Sequence, residues 1–361
     1  MATQTGTRPA ACHWRDTAAA DRALSAMLGD GRSRAALSSP DHTRLWNALE
    51  DASIGGKRFR PALVRAAHDT FDGTDHEAVA QVGAAIELLH TAFVIQDDVI
   101  DGDDIRRGRP NVSGTFRTWA REHGADEDAA AELALTAGIL AGDLAMATAL
   151  RAVATCGVSP AVTNRLLDLF DTALQITTAG ELADVRLSLG LEPASTDASL
   201  QMAEHKTSGY SFSLPLQAGA VLAGTGPEIV DECGVVGRKL GVAFQLADDL
   251  LGVFGNPDLT LKSTTCDLRT RKQTPLLSHA RSTDEWDEID SHLGRDLGDA
   301  ELAEVRRLLT RNGSREFVTG LMHEHLRLAQ AHITALGLPT ELPAIITDSL
   351  TLLVLDDSEA A

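Results

Sequence analysis

The segment IELLHTAFVIQDDVID, residues 86–101, joins a long apolar run to a cluster of carboxylates at its end. Asp97 and Asp101 are four positions apart, so a helix places both on one face, about one turn apart. Two such carboxylates repel each other unless a cation lies between them, and Mg²⁺ takes hard oxygen ligands together with phosphates and waters. The arginines of DDIRRGRP, residues 103–110, suit bidentate phosphate binding. The segment therefore predicts a helix that ends in a combined metal and phosphate site.

A second acidic pair lies about 150 residues later, in GVAFQLADDLLG at 241–252. Here too an apolar helical segment closes with paired aspartates, Asp248 and Asp249. Acidic residues at a helix end are often only solvated, so a single DDxxD motif is a weak signal. Two such motifs, each near basic segments, predict two helices that face each other across a cavity and hold more than one Mg²⁺ around a diphosphate.

Lysine is scarce in this chain, because only five of its 32 basic Lys and Arg residues are lysines. Arginine supplies the charge elsewhere, which suggests that lysine marks positions that need a compact ammonium group. Chance placement is the alternative for any single one. Lys57 follows two glycines, which allow the backbone to approach an anion closely. The five lysines are Lys57, Lys206, Lys239, Lys262 and Lys272, of which all except Lys239 lie in or behind a motif.

The order of these motifs resembles the trans-isoprenyl diphosphate synthases of the polyprenyl synthetase family. The shared features, in chain order, are GGKRFRP (55–61), His90, DDVID with RRGRP, KT (206–207), FQLADD (244–249) and a distal lysine. The resemblance extends from about Asp16 to the C-terminus, and its motifs are specific in combination. It implies an all-α, single-domain isoprenoid-synthase bundle around a central cavity. It also implies a prenyltransferase, most similar to bacterial geranylgeranyl and farnesyl diphosphate synthases, that condenses isopentenyl diphosphate with allylic diphosphates.

The resemblance also implies a role for individual residues. Asp97, Asp98 and Asp101 would bind Mg²⁺ and the allylic diphosphate, with Arg106 as a diphosphate contact. Asp248 and Asp249 would be the metal ligands of the second motif, for about three Mg²⁺ ions in all. The isopentenyl diphosphate site corresponds to Lys57, Arg60, His90 and Arg107. The allylic site and its closing flap correspond to Lys206, Thr207, Gln245, Lys262 and Lys272. The residues expected to act in catalysis are Asp97, Asp98, Asp101, Lys206, Asp248 and Lys262.

The implied chemistry needs no protein nucleophile. Divalent cations and cationic side chains take up the charge that develops on the leaving diphosphate. The double bond of isopentenyl diphosphate then attacks the allylic cation, and the departing diphosphate serves as the base. The cavity must exclude water, which would quench the cation. A lone histidine on an apolar helix is more often a core residue than a ligand, but the motif context makes His90 a ligand here.

Three positions depart from the family pattern. Gly252 stands where the second motif usually ends in aspartate, although DDLLGVFG also resembles a recurring bacterial variant. Glu181, in GELAD at 180–184, replaces a glutamine and adds a negative charge that faces the metals. Gln96 replaces the histidine that is common just before the first motif. These changes predict that the affinity for metal or substrate differs from that of typical family members.

Product length is expected to depend on Phe93, which precedes Asp97 by four residues and so lies one turn below the metal on the same face. In the family, a bulky residue near this position forms a floor under the growing chain. Ala92 is small, which argues against a C10 product. We expect C20 geranylgeranyl diphosphate first and C15 farnesyl diphosphate second, with ordinary core packing of Phe93 as the alternative.

Composition agrees with a helical enzyme, because strand-like alternation is nearly absent and alanine and leucine dominate. Helical periodicity predicts helices within residues 60–71, 78–98, 126–153, 162–189 and 234–255. We expect a disordered N-terminal stretch over residues 1–15, followed by one polyprenyl synthetase domain over residues 16–361.

The net charge of −20 argues against nucleic-acid binding and against electrostatic anchoring to a membrane. The N-terminal residues lack an apolar signal-peptide core, and Leu133–Ala149 is expected to be a buried helix rather than a membrane span. The four cysteines lack metal-like spacing and are expected to be reduced thiols of a cytoplasmic protein. The resemblance further implies a homodimer, with the apolar helix after the first motif at its interface.

Other activities remain open at this point. A class I terpene cyclase shares an acidic motif and a helical fold, but it needs no second diphosphate site such as GGKRFRP supplies. A head-to-head condenser of the squalene type is disfavoured on the same ground. A non-catalytic subunit of a heteromeric prenyl synthase typically loses its acidic motifs, which are largely present here. Gly252 and Glu181 keep that last alternative open.

Overall fold

The computed structural model describes residues 13–191, 194–255 and 266–350. Within these ranges the protein is a helical bundle, which confirms the predicted all-α fold. The first half comprises a 3₁₀ turn (His13–Arg15), α1 (Ala18–Ala36), α2 (Pro40–Ala52), α3 (Phe59–Thr70), α4 (His76–Asp101), β1 (Ile105–Arg106), β2 (Arg109–Pro110), α5 (Val112–Glu122), α6 (Glu127–Ala154) and α7 (Pro160–Ser188). The second half comprises α8 (Thr196–Ala203), a π-helix (Glu204–Ser213), α9 (Leu214–Leu222), α10 (Pro227–Phe254), α11 (Cys266–Arg269), α12 (Pro275–Ala280), α13 (Trp286–Asp290), α14 (Asp299–Arg311), α15 (Ser314–Leu336) and α16 (Ala344–Leu350).

Helix α4 is central to the bundle and carries the first acidic motif at its C-terminal end. The Asp75 side chain caps its N-terminus by accepting a hydrogen bond from the Ala78 amide. Gly102, with φ of 71°, ends it directly after Asp101 in the left-handed conformation that glycine adopts readily. The helix packs against α1, α3 and α6. The helical start and stop signals therefore fix where the aspartates emerge from the core.

Helix α6 packs closely on α4 because small residues line its contact face. Ala137, Ala141 and Ala145 are buried there. A Cβ atom added to Gly142 would lie only 2.9 Å from Cγ of Gln96, so this glycine permits the close approach of the two helices. Gln96, one of the three departures from the family pattern, thus lies against α6.

The π-helix is the least regular part of the bundle, and it packs between α7 and α10. Its wider turns bring its backbone close to glycines of both neighbours. An added Cβ at Gly180 of α7 would lie 2.3 Å from the amide nitrogen of Lys206, and one at Gly237 of α10 would lie 2.3 Å from Cα of Ser213. Such segments are frequent at functional sites. Here the π-helix contains Lys206, Thr207 and Tyr210.

Part of the segment that precedes the first long helix packs into the core. Trp14, in the 3₁₀ turn, is buried in the same cluster as the core of α4 and α10. Residues 1–12 lie outside the described residues. The division into an N-terminal stretch and a domain that starts at residue 16 stays a prediction.

Within the described part of the chain, two helices have the length and composition of membrane spans, namely α4 and α6. Protein buries 72% of the most apolar stretch of α4 but only 39% of that of α6. Buried helices of soluble proteins pass the same test, so two such helices are weak evidence for a span. Of the cysteines whose side chains are described, Cys156 and Cys233 are buried thiols without a disulfide.

Candidate active site

The last turns of α4 gather the first acidic motif next to a basic hairpin. Arg106, in β1, donates from Nε to Asp98 over 2.7 Å and from Nη2 to Asp97 over 3.0 Å. Asp98 is buried, whereas Asp101 at the helix end is exposed. Carboxylates at the C-terminal end of a helix oppose its dipole, so they require nearby cations. Arg106 provides one of these cations.

Lys206 provides the second cation, and it lies among three carboxylates. Its Nζ atom is 2.9 Å from Asp97 of α4, 3.1 Å from Glu181 and 2.7 Å from Asp184, both of α7. Burial alone would lower the pKa of this ammonium, but the three carboxylates outweigh burial and raise it. Burial would raise the pKa of Asp97, but Lys206 and Arg106 outweigh it and hold that pKa below its usual value. The ammonium of Lys206 therefore compensates the carboxylates that α4 and α7 bring together.

The second acidic motif approaches the same region from α10. The Thr207 hydroxyl donates to Oε1 of Gln245 over 2.9 Å, and Nε2 of Gln245 donates to Oδ1 of Asp249 over 2.9 Å. The other oxygen of Asp249 is buried and has no hydrogen-bond partner among the residues that the structure describes. Burial raises the pKa of Asp249 to about 7. An unpartnered buried carboxylate oxygen is costly unless a cation binds it.

Lys272 is the cation that links the two motifs. Burial alone would lower its pKa, but Asp267, Asp184 and Asp249 outweigh burial and raise it. The same ammonium also lowers the pKa of Asp97 on α4, as a smaller contribution than that of Lys206. The field of Lys272 therefore reaches acidic residues of α4, α7 and α10.

The glycine that ends the second motif has a structural consequence. A Cβ atom added to Gly252 would lie 2.4 Å from Oδ2 of Asp267, which is in α11. The carboxylate of Asp267 thus fills the space that an aspartate side chain at position 252 would enter. The motif departs from the family pattern in sequence, but a carboxylate is present at this place in the fold.

A separate basic site lies beside the acidic one. Arg60 is buried at the start of α3, where its Nη2 donates to the Ser211 hydroxyl over 2.9 Å and its Nη1 lies 3.6 Å from Glu87. Glu87 also pairs with Arg58 at 3.1 Å. Gly55 and Gly56 both have positive φ, near 85°, and shape the loop that carries the exposed Lys57. Arg107 approaches this loop, with its Nη1 3.6 Å from where a Cβ of Gly55 would be.

An aromatic and histidine cluster lies next to Arg60 of the basic site. Nδ1 of His90 lies 3.2 Å from the hydroxyl of Tyr210. The rings of Phe93 and Tyr210 also pack together, with centroids 4.8 Å apart. Burial, and then the charges of Arg60 and other nearby arginines, lower the pKa of His90 well below its usual value. The imidazole is therefore neutral at physiological pH.

Comparison with known proteins agrees with this geometry. The family model described as polyprenyl synthetase matches residues 42–309. A (2E,6E)-farnesyl diphosphate synthase of Mycobacterium tuberculosis is 31% identical over 301 residues, covering 81% of this chain and 77% of that protein. A geranylgeranyl diphosphate synthase of the same organism is 33% identical over 247 residues, covering 68% of this chain and 65% of that protein.

The chain belongs to the polyprenyl synthetase family.

A solved structure also matches over nearly the whole length. The geranylgeranyl pyrophosphate synthase of Corynebacterium glutamicum, complexed with isoprenyl diphosphate and magnesium, aligns with a TM-score of 0.82 and 26% identity. The alignment covers 92% of this chain and 96% of that one. The predictions of family, fold and prenyltransferase activity are confirmed, and the cyclase and non-catalytic alternatives are not favoured.

The structure of this polyprenyl synthetase brings most of the predicted site residues into one region. Lys262 lies outside the described residues, so its predicted role stays a prediction. Sequence reasoning did not assign site roles to Asp184, Glu87, Tyr210 or Asp267. For Tyr210 a signal existed, since it is the only tyrosine in the chain and follows the KT motif by three residues. Asp267 had no such signal, because only the fold brings it to Gly252.

Proposed function

We propose that this polyprenyl synthetase condenses isopentenyl diphosphate with allylic diphosphates in a Mg²⁺-dependent reaction. We infer geranylgeranyl diphosphate as the favoured product and farnesyl diphosphate as the second. The observation that carries the proposal is the pairing of two sites of opposite character. One is rich in carboxylates and contains Lys206, and the other contains Arg60 and the neutral His90, both of which contact Tyr210.

The acidic site fits a divalent cation. Its donors are carboxylate oxygens, which suit Mg²⁺, and the ammonium of Lys206 already lies among three of them. The unpartnered oxygen of Asp249 adds a further donor. We assign the metal to Asp97, Asp98, Asp101, Asp248 and Asp249. Bound Mg²⁺, which the magnesium complex of the Corynebacterium relative supports, supplies positive charge for the departing diphosphate.

The cationic side chains of the acidic site orient the allylic diphosphate. Arg106 and Lys206 are held near the carboxylates by ion pairs, and the charge of Lys272 acts on the same group of carboxylates. All three can donate to phosphate oxygens as these gain charge. Thr207 and Gln245 form the polar link between the π-helix and α10. Lys262 is assigned to the flap over this site from the sequence motif alone.

The basic site holds isopentenyl diphosphate alongside. Lys57, Arg60, His90 and Arg107 supply donors, and Glu87 fixes the orientation of Arg60. Holding both substrates together removes most of the entropic barrier to their reaction, with effective molarities that reach on the order of 10⁵ M. The buried rings of Phe93 and Tyr210 help to keep water away from the reacting carbons.

Product length is assigned to the wall beneath Asp97. Ala92 is fully buried, and the partly buried Phe93 packs against Tyr210. A phenyl ring held by a neighbouring ring is a stiff barrier to a growing prenyl tail. This arrangement supports Phe93 as the floor.

We also propose a cytoplasmic homodimer. Three apolar side chains of α6, Leu135, Ile139 and Leu140, are each about half exposed, at 50%, 47% and 48%. They lie on α6, a long apolar helix that comes after the first acidic motif and α5, and the family resemblance predicts an interface on an apolar helix after that motif. Exposed apolar side chains that lie close together on one helix are typical of a surface that packs against a partner.

Replacement of Asp97 by alanine tests the proposed function. Asp97→Ala removes the carboxylate that pairs with both Lys206 and Arg106, and it leaves no core position unfilled. We expect at least about a 100-fold fall in the incorporation of labelled isopentenyl diphosphate, the loss typical of removing one strong electrostatic stabiliser. Mn²⁺ binding, followed by electron paramagnetic resonance, should weaken in parallel, while the circular dichroism spectrum stays helical.

The matched control is Asp103→Ala, which removes an exposed carboxylate of the adjoining hairpin. It should leave turnover and Mn²⁺ binding unchanged. Near-normal turnover by the Asp97→Ala variant would contradict the proposal.

A further inference from the structure

Tyr210 is fixed in place by its neighbours on several sides. Its ring stacks on that of His90 with centroids 5.9 Å apart and packs against Phe93 at 4.8 Å. The guanidinium of Arg60 lies over the same ring, 5.4 Å from its centroid. The residue is buried, on the π-helix that faces α4. These contacts use the ring and leave the hydroxyl group to a single interaction.

That interaction determines where the protons lie. Among the described residues, the hydroxyl of Tyr210 has one hydrogen-bond partner, Nδ1 of His90 at 3.2 Å. If Nδ1 carried a proton and donated it to the hydroxyl, the phenolic proton would have no acceptor in a buried site. Burying an unsatisfied donor is unfavourable, so the phenol donates to a bare Nδ1. The proton of a neutral imidazole must then be on Nε2.

The Nε2 atom is available to a ligand. It has no hydrogen-bond partner among the described residues, and His90 is only half-buried. The charges that act on its ring come from Arg60, Arg107, Arg106 and Arg58, which also keep the imidazole neutral. An N–H group among these arginine charges is suited to donate to an anion.

We infer that Tyr210 is a positioning residue, which holds His90 in the Nε2–H tautomer so that the neutral imidazole donates a hydrogen bond to the diphosphate of isopentenyl diphosphate. This inference rests on the proposed function. Without the phenol, Nδ1 and Nε2 would compete for the proton, and part of the population would present a bare nitrogen to an anionic oxygen. The expected consequence is weaker binding of one substrate only.

The test combines spectroscopy with kinetics. Long-range ¹H–¹⁵N NMR on the ¹⁵N-histidine-labelled protein distinguishes bare from protonated ring nitrogens, and a His90→Ala variant identifies the signals of His90. We expect a protonated Nε2 in the wild-type protein and a mixture of tautomers in Tyr210→Phe, which keeps the ring contacts. In the same variant, the KM for isopentenyl diphosphate should rise about two- to fivefold, because the apparent affinity falls in proportion to the fraction of His90 that keeps the Nε2–H form, here about one half to one fifth. The kcat and the KM for the allylic substrate should change less than about twofold.

A double-mutant cycle separates positioning from packing. If Tyr210 acts through His90, then Tyr210→Phe should have no further effect on the KM for isopentenyl diphosphate in a His90→Ala background. An equal effect in both backgrounds, an unchanged KM in the single variant, or a protonated Nδ1 in the wild-type protein would each overturn the inference. A protein that turns over no isopentenyl diphosphate would overturn the proposed function and the binding role together, whereas the tautomer is measured on the free protein.

Discussion

At the scale of single residues, Lys206 compensates the charge of three carboxylates of the acidic site. The sequence identified it as one of only five lysines and as part of a KT motif. The sequence could not show that Glu181 and Asp184 of α7 would join Asp97 around its ammonium, because those contacts depend on the packing of α7 against the π-helix. Glu181, a departure from the family pattern, is thus part of an ion-pair network.

Phe93 carries the prediction about product length. Phe93→Ala removes the ring that packs on Tyr210 and so opens the wall one turn below Asp97. We expect products longer by at least one C5 unit, measured by chromatography of the dephosphorylated alcohols.

The control is Phe71→Ala, which truncates another partly buried phenylalanine at the far end of α3, about 18 Å along the helix from Phe59. It should lower stability without changing product length. An unchanged profile in Phe93→Ala would remove Phe93 as the floor.

At the scale of elements, helical periodicity predicted the main helices well. The predicted ranges 60–71 and 126–153 correspond to helices at 59–70 and 127–154. Helix α10 was predicted to start at residue 234, but it starts at Pro227. The sequence GTGP was interpreted as a break, whereas proline at the first helical position needs no amide hydrogen bond and starts the helix. The π-helix had no sequence signal, because it depends on close contact with glycines of two other helices.

The end of α10 yields a prediction about Gly252 and Asp267. Gly252→Asp restores the family aspartate but brings it against the carboxylate of Asp267. Crowding and like charge should lower the free energy of unfolding by about 1–3 kcal/mol, measured by urea denaturation. In an Asp267→Ala background the same substitution should be much less destabilising.

Gly320→Asp is the matched control, since a Cβ at this exposed position of α15 would meet nothing within 4 Å. Its effect should be small and independent of Asp267. Equal destabilisation by Gly252→Asp with and without Asp267 would refute the crowding explanation.

At the scale of the whole molecule, the exposed apolar face of α6 predicts association. The mass of one chain is 38.3 kDa, and sedimentation velocity should give twice that value. Leu140→Asp introduces a charge among the exposed apolar side chains of α6 and should shift the protein toward monomers. Leu37→Asp, at another exposed leucine, should remain dimeric. A monomeric wild-type protein at micromolar concentration would contradict the proposed interface.

Sequence alone was sufficient for the family and the all-helical fold, since these follow from motif order and periodicity. It also named many of the charged residues that the structure gathers near Lys206, whose roles stay predictions. It was not sufficient for the partners of those charges. The neutral tautomer of His90 and the replacement of an aspartate at position 252 by Asp267 depend on contacts between residues far apart in the chain. Such contacts appear only when the helices are packed.

The most direct test of chain elongation is to size the products. The purified protein is incubated with Mg²⁺, labelled isopentenyl diphosphate and, separately, C5, C10 and C15 allylic diphosphates, and the dephosphorylated products are then separated by length. We predict a labelled C20 alcohol that requires both substrates. A C15 alcohol would support the elongation activity, but it would mean that a residue other than Phe93 stops the growing chain. A hydrocarbon formed without isopentenyl diphosphate, or no product from any pair of substrates, would contradict the proposed function.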